Sequence, residues 1–203
     1  IHHHYSMDKF TPDFSREFLE KQISLLPASS RNKVTDTLLE VIFNPAVMPK
    51  KVNQAEGQDL ILTSATNIYD GVTQQEVEAY YAAIKDTTDM TPVSYGLNTR
   101  KIKVDGKVVE QPYKIGGLYT EAIERIVKEL KAASQYAENA AQKAYIDKLV
   151  EYYTTGDLKA FDEYSILWCE DTASQVDFIN GFIESYDDPL GMTGSWESIV
   201  NFK

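Results

Sequence analysis

Apolar side chains fall at Phe14, Phe18, Leu19, Ile23 and Leu26, a helical spacing that predicts an amphipathic helix over 14–26. A second helix is expected over 30–43, closed by the proline-flanked "NPAVMP". "QDLILTSA" (58–65) is a short apolar run rich in β-formers and reads as a strand. Thr73 and Glu76 have the spacing of a capping box and open a helix to about Lys85. "TRKIKVDGKVVEQPYKI" reads as a hairpin, because Asp105-Gly106 tolerates the positive φ angles of a type I′ turn between alternating strands. A long amphipathic helix is predicted over 118–136, with Ala122, Ile123, Ile126, Val127, Leu130 and Ala133 inward and Glu121–Arg125 and Glu124–Lys128 pairs outward. Asn139 and Gln142 start another helix that ends near Gly156, and a further one covers 157–168. The period then changes from 3.6 to 2: "VDFINGFIESY" (176–186) and "SWESIVNF" (195–202) read as strands joined by the turn-rich "DDPLGMTG". Strands, a hairpin, three helices and two more strands predict an α+β domain with a small mixed sheet or barrel and flanking helices, forming one unit over 1–203.

Composition narrows the function classes. The net charge of −11 opposes nucleic-acid binding, which needs clustered Lys and Arg against phosphates, and disfavours anionic membrane surfaces. No apolar run approaches the roughly 18–20 residues of a membrane span. The single Cys169 has no partner for an internal disulfide, and its apolar and acidic flanks suit a buried, inert thiol. The compartment expected is cytoplasmic, with the periplasm as the alternative. His2, His3 and His4 are the only histidines; contiguous residues do not converge readily on one metal ion. They are either the remnant of a tag or native sequence. H-E-x-x-H, G-x-S-x-G, the phosphate-binding P-loop and G-x-G-x-x-G are all absent from the chain.

What remains is "FINGFIESYDDPLG". Continuous alternation would put Phe178, Asn180, Phe182, Glu184 and Tyr186 on one strand face. Glu is depleted from strands and seldom buried without a partner. Two readings stay open on periodicity: an edge strand with Glu184 in water, or a cleft wall where Glu184 pairs a cation and Tyr186 donates a hydrogen bond. The Asp187-Asp188 pair before Pro189 reads as turn or capping chemistry. A hydrolase pairing Glu184 with Asp187 or Asp188 is disfavoured, since residues 184 and 187 would lie on opposite faces of a continued strand.

"FINGFIESYDDPLG" followed by "GSWESIVNFK" resembles the dipeptidyl peptidase III family, the M49 zinc metallopeptidases, and in particular its Bacteroidetes members. "GLYTEAIERIVKELKAA", "DGVTQQE", "VSYGLNTR" and "VNQAEGQDLILTSA" agree, and the resemblance runs through the chain in order. It implies that "IHHHY" is native and that the chain is an internal segment of a longer two-lobed peptidase with a wide cleft. The parent would release N-terminal dipeptides from short peptides by zinc-assisted hydrolysis. The family's zinc-binding H-E-x-x-G-H and E-E-x-R-A-type motifs have no counterpart in these residues, so the segment alone is expected to bind no zinc and to be inactive. By the resemblance, Glu184 binds the substrate's α-ammonium and Tyr186 donates to the scissile carbonyl. Glu197 matches an acidic position near the amine. The implied partners are short peptides and the remaining lobe of the same polypeptide. The alternative is a stand-alone peptide-binding or scaffold domain.

Overall fold

The computed structural model describes residues 11–202. The reading of the three histidines therefore lies outside the described residues. The fold is α+β, with helices α1 (Arg16–Ser24), α2 (Ala28–Arg31), α3 (Asp36–Phe43), α4 (Gln74–Ile84), α5 (Thr120–Ser134), α6 (Ala140–Thr155) and α7 (Leu158–Glu170). The strands are β1 (Tyr69–Asp70), β2 (Thr99–Val104), β3 (Lys107–Pro112), β4 (Val176–Glu184) and β5 (Ser195–Phe202). β1 pairs parallel to β2 and β2 antiparallel to β3, giving a mixed three-stranded sheet in order β1-β2-β3. β4 and β5 form a separate antiparallel ladder instead of joining that sheet.

Local chemistry accounts for most boundaries. The Thr73 side chain accepts from the Glu76 amide while the Glu76 carboxylate accepts from the Thr73 amide, so the capping box is complete. Asp105 (φ 49°) and Gly106 (φ 76°) turn the β2–β3 hairpin as the type I′ reading requires. The Asn139 side chain accepts from the Gln142 amide and starts α6.

Four expectations need correction. Residues 58–65 are not a strand: the Asp59 carboxylate accepts from the amides of Ile61, Leu62 and Gln74 and curls the segment into turns. The helix expected over 30–43 is broken, because Thr35 caps a new start through the Leu38 amide. The buried stripe of α5 is Ile123, Val127, Leu130 and Ser134, with Ala122 and Ala133 exposed, and Lys128 turns to Glu129, 3.6 Å away, rather than to Glu124. Cys169 is exposed on α7 rather than buried, since the inward face of that helix is carried by Ala160 and Tyr164.

Two cores result. The larger joins α5, α6 and α7 through Ile123, Val127, Leu130, Ile146, Leu149 and a group of tyrosines, and reaches Phe182 of β4. The smaller gathers Ile61, Tyr69, Val72, Val77 and Tyr81, against which Leu190 and Met192 pack. The chain between β4 and β5 therefore leaves one core and touches the other. The N-terminal helices contribute less: α1 buries no residue and is held by an Arg16–Glu40 ion pair of 2.7 Å and by Phe14 edge-on to Phe43.

Candidate functional site at the end of the β4–β5 ladder

Aromatic packing fixes β4 up to Phe182. Phe178 stacks against Tyr145, and Phe182 lies against both Tyr113 and Tyr153. Tyr153 donates its hydroxyl hydrogen to Asn180, and the Trp196 indole N–H donates to the Tyr153 oxygen at 2.9 Å. Asn180 in turn donates to Ser198 across the ladder at 3.2 Å.

The alternation then breaks. Phe182 pairs with Trp196 but Glu184 pairs with Ser195, so two residues of β4 oppose one of β5 in a β-bulge. The single face expected for Phe178, Asn180, Phe182, Glu184 and Tyr186 holds only through Phe182. Phe182 is 5% exposed, whereas Glu184 is exposed at the strand end and Tyr186, beyond it, is 62% exposed. The bulge is the physical reason, since one inserted residue reverses the direction of every side chain that follows.

The structure nevertheless brings the acidic end together. The Tyr186 hydroxyl donates to Glu197 Oε1 at 3.2 Å. The charge of Glu197 is the first cause pushing the Tyr186 phenol above its ordinary value, and the charges of Asp187 and Glu184 add to it. Asp187 is committed elsewhere: it pairs with Lys51 and accepts from the Ser195 hydroxyl at 3.3 Å. Beside this end opens a cavity of about 1130 Å³, lined among others by Met48, Lys51, Tyr119, Ile126, Phe182 and Trp196. Glu184, Tyr186 and Glu197 stand outside its lining. The arrangement is an electronegative, solvent-open group with one phenolic donor, suited to a cationic head and a neighbouring carbonyl.

Periodicity missed the inner side of the same connection. Asp188 is 2% exposed, and its carboxylate accepts from the Tyr69 hydroxyl (2.8 Å) and from the amides of Leu190 (2.8 Å), Met192 (3.2 Å) and Thr193 (2.7 Å). Lys101 of β2 is fully buried, with Nζ donating to the Gly96 carbonyl (2.8 Å), the Thr99 carbonyl (3.1 Å) and the Thr193 hydroxyl. Burial drives its pKa down to about 8, against the opposing pull of Asp188 and Glu110. The hairpin pattern puts Lys101 on the strand face of Thr99, and the structure, not the sequence, shows that face to be buried.

Among the described residues, no group of three or more His, Cys, Asp or Glu side chains is placed to hold a metal ion. Among the described residues, no helix is long and apolar enough to cross a membrane.

An α+β segment carrying an acidic strand end beside an open cavity is the class that fold and site define. The comparisons give its family: the model for peptidase family M49 matches residues 34–203, and the chain belongs to that family. It is 25% identical over 218 aligned positions to dipeptidyl peptidase 3 of Dictyostelium discoideum, covering 95% of this chain and 29% of that protein. Rat dipeptidyl peptidase 3 is 36% identical over 84 residues, 41% of this chain and 11% of the relative. Among solved structures, DPP III from Caldithrix abyssi matches with a TM-score of 0.55 at 18% identity, covering 92% of this chain and 34% of that one. Dipeptidyl-peptidase III from a Corallococcus strain gives 0.54 at 19% identity, with the same coverage. The fold is thus shared with these proteins, and the chain spans about a third or less of their length.

Proposed function

We propose that this chain is the substrate-binding portion of a longer zinc-dependent dipeptidyl peptidase, which releases dipeptides from the amino terminus of short peptides. Membership of the M49 family supports the peptidase reading. The observation that carries the site is the Tyr186–Glu197 hydrogen bond, with Glu184 adding charge from the neighbouring strand end.

Glu184 and Glu197 receive the α-ammonium of the peptide. Glu197 then exchanges its bond from Tyr186 for charge-assisted bonds from the ammonium, which are the stronger kind. That exchange releases the phenol O–H. Tyr186 can now donate to the carbonyl oxygen of the bond to be cut, where negative charge grows in the transition state. Anchoring the amine at Glu184 and Glu197 while Tyr186 polarises a carbonyl sets the cut at a fixed distance from the amino terminus. Zinc and the general base come with the family motifs that these residues lack, and the segment alone is inactive.

The test is kinetic, in the full-length protein. Tyr186→Phe is expected to lower kcat by about 10²–10³-fold, the cost of one lost oxyanion donor. Glu184→Gln is expected to raise KM by about 10–100-fold, the worth of one charge-assisted bond. Wild-type kinetics in both variants would contradict the reading.

A further inference from the structure

The outer face of the 185–194 connection carries the acidic end, and its inner face is closed around Asp188. Thr193 joins the two buried charges: its amide donates to Asp188, while its hydroxyl accepts from Lys101 and donates to the Thr99 carbonyl at 3.2 Å. The next residue is tied to the same segment, since the Gly194 amide donates to the Leu97 carbonyl at 2.7 Å. β5 starts at Ser195, so these bonds set where the returning strand begins. They thereby set where Glu197 stands relative to Tyr186, which leaves the other end of the same connection. Every N–H of the Lys101 ammonium is used, and the rings of Tyr69 and Tyr81 lie 5.7 and 5.8 Å from its nitrogen. The charged groups acting on it are Asp188, from the connection, and Glu110, from β3. An ammonium kept from water is costly unless its donors are satisfied. A cation retained there holds a particular backbone shape.

We infer that Lys101 is a positioning residue for the acidic end: through Thr193 it holds the 185–194 connection in the form that aims Tyr186 at Glu197. Lys101 is sealed from solvent and meets no substrate. It acts only through the chain it ties down. The inference rests on the proposed amine-binding role for its importance, but its geometry can be tested without any activity.

The test is nuclear magnetic resonance of the full chain at pH 7, with ¹³C at Cζ of its 13 tyrosines. Tyr186→Phe assigns the Tyr186 signal, and Glu197→Gln gives the shift that follows loss of the carboxylate partner. Lys101→Met and Thr193→Val are each expected to move the Tyr186 signal by about the shift seen in Glu197→Gln, with the buried Tyr145 and Tyr152 signals in place. Thr193→Ser, which keeps the hydroxyl, is expected to leave it unmoved. Thr193→Val retains the lysine and serves where Lys101→Met unfolds. A Tyr186 signal unmoved in Thr193→Val, with the fold intact, would overturn the inference. Kinetics of Glu184→Gln judge the amine reading separately, so either can fail alone.

Discussion

The two faces of the chain between β4 and β5 use the same residue types to opposite ends. Outside, Tyr186 and Glu197 share one long hydrogen bond, Glu184 and Tyr186 are exposed, and Glu197 is half-buried. Inside, Asp188, Thr193 and Lys101 satisfy almost every donor and acceptor they own and exclude solvent. A carboxylate whose lone pairs are filled by the protein is a structural part. One with lone pairs to spare can take a ligand. The difference lies in partners and burial rather than in sequence, because Asp187 and Asp188 are adjacent and differ in both.

That contrast predicts a steep gradient of stability effects. Asp188→Ala leaves a buried lysine without the carboxylate whose charge acts on it most, and several donors without an acceptor. It should cost about 3–5 kcal/mol, read from urea unfolding. Glu184→Ala and Glu197→Ala should stay within about 0.5 kcal/mol. Equal losses on both faces would erase the distinction.

Lys101 sharpens it through pH. Its folded pKa of about 8 lies below the ordinary 10.5, so between these values the unfolded chain binds more protons than the folded one. Stability from this group therefore rises with pH across that window, and the cost of the buried charge is fully present below pH 8. At about 1.4 kcal/mol per pH unit, wild type should gain about 3 kcal/mol over Lys101→Met between pH 8 and 10.5. Thermal or urea unfolding of the two proteins side by side checks the sign, and a flat difference would contradict it.

A smaller effect is expected at Gly194. A Cβ there would stand 2.7 Å from the Phe182 carbonyl carbon and 2.9 Å from the Ile183 nitrogen, at the bulge itself. Backbone cannot yield as a flexible side chain does, so Gly194→Ala should cost about 1–3 kcal/mol, measured by the shift in unfolding midpoint.

The same contrast explains what was legible in the sequence. Helix caps and the hairpin turn were readable because their signals are local: Thr73 with Glu76, Asn139 with Gln142, and Asp105 with Gly106 between β2 and β3. The two late strands were readable from their period, and the α+β class followed. The bulge was not, because a period-2 pattern contains no mark of an inserted residue, and it displaced Glu184 and Tyr186 from the face assigned to them. Residues 58–65 misled because their apolar content suits a strand while one carboxylate, Asp59, offers the backbone a better set of bonds. The buried cluster was invisible for a different reason. Lys101, Tyr69 and Asp188 come from three distant parts of the chain, and a lysine on a strand reads as exposed until its partners are known. Family resemblance supplied Glu184, Tyr186 and Glu197, and the structure adds the contact between two of them.

The most direct test of the amine-binding account compares a dipeptidyl anilide with its N-acetylated form in the full-length protein. The account predicts that wild type strongly prefers the free amine and that Glu184→Gln loses most of that preference by slowing only the free-amine substrate. Equal loss on both substrates, or a preference unchanged by the mutation, would contradict it.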